Sequence, residues 1–280
     1  MGLRRPGASP QHERLDMKLD LETGSSHVAT GGRAHLDSAP YVLFLHGSGQ
    51  SHLTWVLQTR YFAYEGYNII APDLPGHGLS GGAPLTTIDQ MADWAAGLLD
   101  TLKVAKAAVV GHSQGCLIAL ELASRHSGLV DRVCLIAGAA AIPVNDYLIN
   151  SAASKPDAAI AMMTGWGHGQ TGHFHDNTQP GFSHLGFGRA LMVANQQDAL
   201  HADLVACNAY DKGAEAAAAV TQPCHLILAG ADKMTPVKQG RKLAQLVSQA
   251  TVTEIPGAGH MLPSEHPDEV NAPLARFLAS

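Results

Sequence analysis

Short apolar runs alternate with amphipathic segments along most of the chain after residue 40. The apolar runs are bounded by glycine, proline or polar residues, as expected for strands that are buried on both faces of a sheet. We predict six strands from these runs, at residues 41–45, 67–72, 107–111, 130–138, 225–230 and 251–256.

The segments between the runs carry the periodicity of helices. In residues 86–102 apolar side chains recur along one helical face, and Thr86 with Asp89 resembles a capping box at the start. We also predict helices at 114–126 and 264–279, the second with a bend at an internal proline. Because strands and helices alternate, the expected fold class is α/β, with a mainly parallel central sheet flanked by helices.

The alternation fails over a long segment rich in Ala, Gly, His, Asn and Gln, where a loop-like stretch at 165–184 precedes a helical pattern at about 188–219. An insertion of this length without strands is better placed as a lid over one end of the sheet than as a simple loop. The first residues are polar and lack an apolar period, which is typical of disorder. We therefore predict a disordered lead-in at 1–16, an α/β core formed by 17–140 and 222–280, and a mainly helical cap at 141–221.

The composition is that of an ordinary globular protein, with 280 residues, 46% hydrophobic residues and a formal net charge of −6. This charge gives no electrostatic reason to expect nucleic acid or an anionic membrane as a partner. No apolar run approaches the roughly 20 residues that span a bilayer. The first residues also lack the apolar core of a secretory signal. We therefore predict a cytoplasmic protein without a nucleic-acid or membrane partner.

Candidate chemistry begins with the sequence VVGHSQGC at residues 109–116, which places Ser113 between two glycines. A Gly-x-Ser-x-Gly turn between a strand and a helix holds its serine on a strained corner, with the hydroxyl above the carboxyl edge of the sheet. The string alone is a common loop pattern, but here a predicted strand precedes it and a predicted helix follows. We therefore interpret Ser113 as a candidate nucleophile.

A serine nucleophile needs a base, which is itself oriented by a carboxylate. Asp232 lies just after the predicted strand 225–230, and His260 lies in a glycine-rich loop just after the strand 251–256. Because parallel strands end at the same edge of a sheet, both side chains are expected near Ser113.

An oxyanion hole needs two backbone amides near the serine hydroxyl. One is the amide of Gln114, at the N-terminus of the predicted helix. The second is expected from the turn LHGSGQ at residues 45–50, where we predict the amide of Ser48, with that of Gly49 as the fallback.

Taken together, the chain resembles α/β-hydrolase-fold enzymes of the branch that carries a helical cap. The matching motifs are HGSG (46–49), APDLPGHGLS (71–80), GHSQG (111–115), AGADKMTP (229–236) and GAGH (257–260). The resemblance implies that Ser113 is the nucleophile, His260 the base and Asp232 its orienting acid. It also implies an oxyanion hole formed by the amides of Ser48 and Gln114.

The expected reaction is a two-step acyl transfer that cleaves a small carboxylic ester through an acyl-enzyme, with a small-molecule substrate and no cofactor. The alternative substrates for the same triad are a lactone, a thioester and a carbon–carbon bond. A serine at the corner argues against the aspartate-based chemistry of haloalkane dehalogenases and epoxide hydrolases. A catalytically silent ligand-binding protein of the same fold is an alternative of another class. The sequence does not determine the oligomeric state.

The proposed cap offers aromatic residues for substrate contact, and we predict this role for Trp166, Phe174 and Phe182. The same stretch holds four histidines, namely His168, His173, His175 and His184. The spacing of His173 and His175 resembles part of a metal site, but no ordered set of Cys, Asp or Glu completes a coordination pattern. We therefore predict no metal.

Overall fold

The computed structural model describes residues 16–173 and 183–280. Eight strands occur within these ranges: β1 (Met17–Leu21), β2 (Gly24–Ala29), β3 (Tyr41–Leu45), β4 (Asn68–Pro72), β5 (Ala107–His112), β6 (Val130–Ile136), β7 (Cys224–Ala229) and β8 (Ala250–Ile255). They form one sheet in the order β1-β2-β4-β3-β5-β6-β7-β8. The pairs β1/β2 and β2/β4 are antiparallel, and the other neighbours are parallel. The predicted fold class, a mainly parallel sheet flanked by helices, is confirmed.

All six predicted strands are present, five of them within one residue at each end. The sixth was predicted at 130–138 but ends at Ile136, because Ala137 adopts a positive φ of 49° and so leaves the extended backbone conformation. The strands β1 and β2 were not predicted. In β2 only Ser26 and Val28 are buried, so this short strand near the sheet edge shows little apolar pattern.

Twelve α-helices occur in the described ranges: α1 (Val56–Tyr64), α2 (Ile88–Thr101), α3 (Gln114–Arg125), α4 (Asp146–Ser154), α5 (Pro156–Gly167), α6 (Gln170–His173), α7 (His184–Val193), α8 (Ala199–Ala209), α9 (Gly213–Ala219), α10 (Val237–Leu246), α11 (Leu262–Glu265) and α12 (Pro267–Leu278). None of these described helices is long and apolar enough to cross a membrane. The N-cap residue of α2 is Thr87, one residue later than predicted, since the Thr87 side chain accepts the hydrogen bond from the Gln90 amide.

The sheet separates two apolar cores, because alternate residues of each strand point to opposite faces. On β3, Leu43 and Leu45 join a cluster with α2, α3, α9 and α10. Val42 and Phe44 face the opposite cluster, which includes residues of α1, α11 and α12. The two layers bury β4, β5 and β7 completely, whereas the edge strand β8 is partly exposed.

A third apolar cluster lies within the segment between β6 and β7. It is formed by side chains of α4, α5, α7 and α8, including Leu148, Met163, Met192 and Leu204. The helix α9 packs instead against α3 and α10. We therefore propose that α4 to α8 form the cap, with α9 as a helix of the main core.

Truncation of Leu117 tests the packing of α3 against the sheet. This side chain on α3 is 0% exposed, so Leu117→Ala is expected to lower the free energy of unfolding by about 2–5 kcal/mol through lost burial and a cavity. The matched control is Leu57→Ala on α1, where the side chain is 46% exposed and a change of less than about 1 kcal/mol is expected. Urea unfolding measures both, and equal losses would contradict this packing.

Candidate active site

Ser113 lies at the corner between β5 and α3, where it is the residue before the first helical turn. Its backbone has φ +55° and ψ −119°, a conformation that is costly for any residue with a side chain. The Ser113 amide donates a hydrogen bond to the carbonyl of Ile136 at the end of β6. The side chain is 8% exposed and lines two adjoining cavities. The surrounding structure therefore holds a strained serine at the carboxyl edge of the sheet.

Three glycines allow this corner to form. A Cβ at Gly111 would overlap the carbonyl of Gly115, and a Cβ at Gly115 would overlap the carbonyl of Leu45 at the end of β3. A Cβ at Gly47 would lie 3.1 Å from the Ser113 Cβ. The backbones of the β5 end, the α3 start and the turn after β3 are therefore in direct contact, which only glycine permits.

The predicted acid and base form a buried pair. Asp232 follows β7 and His260 follows β8, and the His260 Nδ1 donates to Asp232 Oδ2 at 2.8 Å. The other carboxylate oxygen accepts hydrogen bonds from the amides of Met234 and Thr235 at 2.7 and 2.9 Å. Because Nδ1 carries the hydrogen that bonds to Asp232, Nε2 is the nitrogen of a neutral His260 ring that is able to accept a proton.

Electrostatics keep Asp232 ionised. Burial alone would raise the pKa of this carboxyl, but His260 and the hydrogen bonds from Thr235 outweigh burial and hold the pKa below its ordinary value. An ionised Asp232 fixes the tautomer of His260 and stabilises an imidazolium at that position.

The structure brings Ser113 and His260 to the walls of one cavity, which we name the methionine cavity after Met163, Met192, Met234 and Met261. A second cavity, the Trp166 cavity, shares Ser48 and Ser113 with the first and includes Trp166 and Lys233 in its wall. Phe174 and Phe182, predicted as substrate contacts, lie outside the described residues.

The predicted oxyanion-hole residues lie on both sides of Ser113. Gln114 is the first residue of α3, and Ser48 lies in the turn after β3, which we name the β3 loop (residues 46–50). Neither the Ser48 nor the Gln114 amide donates a hydrogen bond to another residue of the described ranges. The Gly49 amide, the predicted fallback, donates to Asp203 Oδ2 at 2.7 Å and is therefore already engaged.

Two buried histidines support the site without lining it. His112 Nε2 donates to the His260 carbonyl at 2.9 Å, and burial, with His260 nearby, lowers the pKa of His112 to about 3. His46 Nε2 accepts from the Leu74 amide at 3.1 Å, and burial lowers the pKa of His46 to about 4. Both rings are neutral and act as fixed hydrogen-bonding groups. Neither role was predicted from the sequence, although His46 lies in the HGSG motif and His112 in the GHSQG motif.

The histidines of the proposed cap do not assemble a metal site within the described residues. The rings of His168 and His184 are 6.4 Å apart, and the His173 Nε2 donates to the Gly165 carbonyl. His175 lies outside the described residues.

One cluster elsewhere in the described ranges has ligand spacing for a metal ion. His27, His52 and Asp73 place ligand atoms within 4.8 Å of one another. The Asp73 oxygens, however, already accept hydrogen bonds from the amides of His52 and Leu79 and from the His52 ring. These contacts are sufficient to explain the cluster, and we assign no metal to it.

A glycine-flanked serine on a strand-to-helix corner, facing a buried histidine–aspartate pair, is typical of α/β hydrolases. The chain belongs to the alpha/beta hydrolase family, whose sequence model matches residues 42–272. The predicted family resemblance is thereby confirmed.

Individual relatives agree with this assignment. Protein ABHD8 of Bos taurus is 27% identical over 256 residues, which cover 85% of this chain and 55% of that protein, so the chain spans about half the length of the curated relatives it matches. The enol-lactonase of Burkholderia xenovorans LB400 has a similar structure, with a TM-score of 0.85 and 25% identity over 94% of this chain and 100% of that one. A thermophilic esterase gives a TM-score of 0.78 and 25% identity over 94% of this chain and 97% of that one.

Substitution of Gly115 tests the backbone contact at the corner. In Gly115→Ala the new Cβ overlaps the Leu45 carbonyl, so we expect a loss of about 1–3 kcal/mol in the free energy of unfolding. The matched control is Gly97→Ala on α2, where a Cβ meets nothing within 4 Å and helix propensity predicts a gain of about 1 kcal/mol. Chemical denaturation measures both, and a neutral Gly115→Ala would show that the contact is loose.

The neutral state of His112 predicts a pH dependence of stability. Its folded pKa of about 3 lies below the ordinary 6.5, so only the unfolded chain gains this proton as the pH falls below 6.5. The stabilisation that the neutral His112 ring gives the folded state is complete above pH 6.5. As the pH falls from 6.5 toward the folded pKa, the free energy of unfolding decreases by about 1.4 kcal/mol per pH unit. Denaturant unfolding between about pH 6.5 and pH 4.5 should therefore show a steeper decline for the parent protein than for His112→Gln. Equal slopes would mean that His112 is protonated in the folded state.

Proposed function

We propose that this protein is a serine hydrolase that cleaves small carboxylic esters through an acyl-enzyme intermediate. Ser113 is the nucleophile, His260 the general base and Asp232 the acid that orients the base. The observation that carries the proposal is the buried His260–Asp232 hydrogen bond of 2.8 Å beside a serine held at φ +55°. A packing role alone does not explain a strained serine and an imidazole at the wall of one cavity, with an ionised carboxylate behind the imidazole.

In the first half of the reaction, His260 Nε2 takes the hydroxyl proton while the Ser113 oxygen attacks the substrate carbonyl. Asp232 stabilises the imidazolium that forms. The tetrahedral intermediate then collapses, the proton passes from His260 to the leaving alcohol, and the acyl group stays on Ser113. Water, deprotonated by the same imidazole, attacks the acyl-enzyme in the second half and releases the carboxylic acid.

The amides of Ser48 and Gln114 are the proposed oxyanion donors. Two facts support this role: both residues border Ser113, and neither amide donates to another described residue. The Gln114 amide also lies at the N-terminus of α3, where the helix dipole favours negative charge. Donors fixed in this way stabilise the developing oxyanion without reorganisation during the reaction.

The two cavities suggest how an ester is accommodated. The methionine cavity has a volume of about 10 Å³, and its lining combines four methionines and Leu191 with polar side chains. The flexible methionine side chains must shift to admit a small apolar acyl group. The Trp166 cavity also contains Asn145 and Lys233 and suits a more polar leaving group. Because the two cavities meet at Ser113, each half of an ester extends into one of them.

A lactone is the second candidate substrate, favoured by the structural similarity to the enol-lactonase of Burkholderia xenovorans LB400. A lactone is a cyclic ester, so the same nucleophile, base and oxyanion donors act on it. Its two halves stay joined after ring opening, which places acyl and alcohol parts together in the site.

Hydrolysis of p-nitrophenyl esters from acetate to dodecanoate, together with an aromatic lactone such as dihydrocoumarin, tests this proposal. Ser113→Ala is expected to lower kcat/KM more than about 1000-fold. The matched control Ser124→Ala, on the same helix α3, should retain activity, because among the described residues the Ser124 hydroxyl bonds only to the Glu121 carbonyl. A preference for short acyl chains would fit the methionine cavity.

Covalent labelling by a fluorophosphonate provides an independent readout of an activated serine. We expect labelling of the parent protein and of Ser124→Ala, and none of Ser113→Ala. A parent protein that neither reacts with the label nor cleaves any ester or lactone would overturn the enzyme assignment and favour a ligand-binding role.

A further inference from the structure

Residues of the proposed cap form hydrogen bonds with both polar groups of the Gly49 backbone, in the β3 loop. Its amide donates to the Asp203 carboxylate of α8 at 2.7 Å, and its carbonyl accepts from the Asn195 side chain, also at 2.7 Å. A Cβ at Gly49 would lie 2.9 Å from Leu200 Cδ1 of the same helix α8. Residues of the proposed cap, not of the main core, therefore set the conformation of the loop that carries the Ser48 amide.

Asp203 makes this contact as a buried carboxyl group. Its side chain is 0% exposed, and the His77 Nε2 donates to the same Oδ2 at 2.9 Å. The His77 Nδ1 donates to the Pro75 carbonyl at 3.0 Å. The Pro75 carbonyl at Nδ1 and the Asp203 carboxyl group at Nε2 together favour the doubly protonated form of His77. Burial would lower the pKa of His77, but the Asp203 charge outweighs burial and raises it.

Asp203 also contacts the other side of the proposed oxyanion hole. Its backbone carbonyl accepts a hydrogen bond from the Gln114 side chain at 3.2 Å. One residue of α8 thus bonds to Gln114, which supplies one proposed donor amide, and to Gly49, the neighbour of Ser48, which supplies the other. A carboxyl side chain is suited to this task, because hydrogen bonds to a carboxylate are shorter and stronger than those to a neutral acceptor.

We propose that Asp203 is a positioning residue that holds the oxyanion hole in its working geometry and couples it to the proposed cap. This inference rests on the proposed function, since it assigns a role within the same serine hydrolase site. In this arrangement, displacement of α8 from the β3 loop removes the acceptor of the Gly49 amide and frees the loop to turn its Ser48 amide away from Ser113. The chain therefore assembles its oxyanion hole only with α8 in place.

Kinetics of two substitutions at Asp203 test the role. Asp203→Ala removes the acceptor and is expected to lower kcat about 10- to 100-fold, with little change in KM, because an oxyanion donor acts mainly in the transition state. Asp203→Asn keeps an oxygen acceptor for the Gly49 amide and should recover most of this loss. The matched control Gln196→Ala removes a bond from the proposed cap to the Gly82 carbonyl without touching the β3 loop, and it should keep kcat. Equal loss of kcat in Asp203→Ala and Gln196→Ala would overturn the proposal.

The amide proton of Gly49, observed by two-dimensional NMR of the full chain, gives a readout that does not depend on activity. Its chemical shift should move upfield in Asp203→Asn, since a neutral acceptor replaces a carboxylate, and this measurement remains decisive if Asp203→Ala does not fold. An unchanged shift would overturn the proposed contact. A parent protein that hydrolyses no ester or lactone would overturn the proposed function, and with it the proposed effect of Asp203 on kcat. The chemical shift of the Gly49 amide would still test the hydrogen bond between Gly49 and Asp203.

Discussion

The site depends on one steric constraint, the direct contact between the first turn of α3 and the carboxyl end of β3. No side chain separates them, because Gly115 lies against the Leu45 carbonyl and Gly111 lies against the Gly115 carbonyl. This contact forces the chain to turn sharply at Ser113 and places Gly47 against the same serine. A bulkier residue at any of these glycines would move the helix and the β3 loop away from the serine.

The parallel sheet adds the remaining polar groups to this corner. Asp232 and His260 follow neighbouring strands, and each is held by bonds that leave little freedom of orientation. Asp232 accepts from two amides and from His260, while the carbonyl of His260 accepts from the neutral ring of His112. These bonds restrict the orientation of His260 and Asp232, which is the preorganisation that the proposed proton transfer requires.

The segment between β6 and β7 closes the site from two directions. On the β3 loop side, Asp203 accepts from the Gly49 amide and is itself bonded to His77. On the His260 side, the Glu265 carboxylate accepts from the amides of Gly169 and Gly172. Burial raises the pKa of Glu265, which marks it as a carboxyl group taken largely out of water. Polar contacts at both ends thus fix an apolar cluster over the serine.

Local sequence determined six of the eight described strands, the Ser113 corner and the family, because apolar runs and glycine spacing act over a few neighbouring residues. Only the tertiary structure decided the features that need distant partners. Nothing near Asp203 marks it as a partner of Gln114, which lies 89 positions away, or of the β3 loop. The strand β2 was not predicted for the same reason, because its polar residues form a strand only through pairing with β1 and β4. Contacts between separate elements arise from packing, and no local pattern of residue types encodes them.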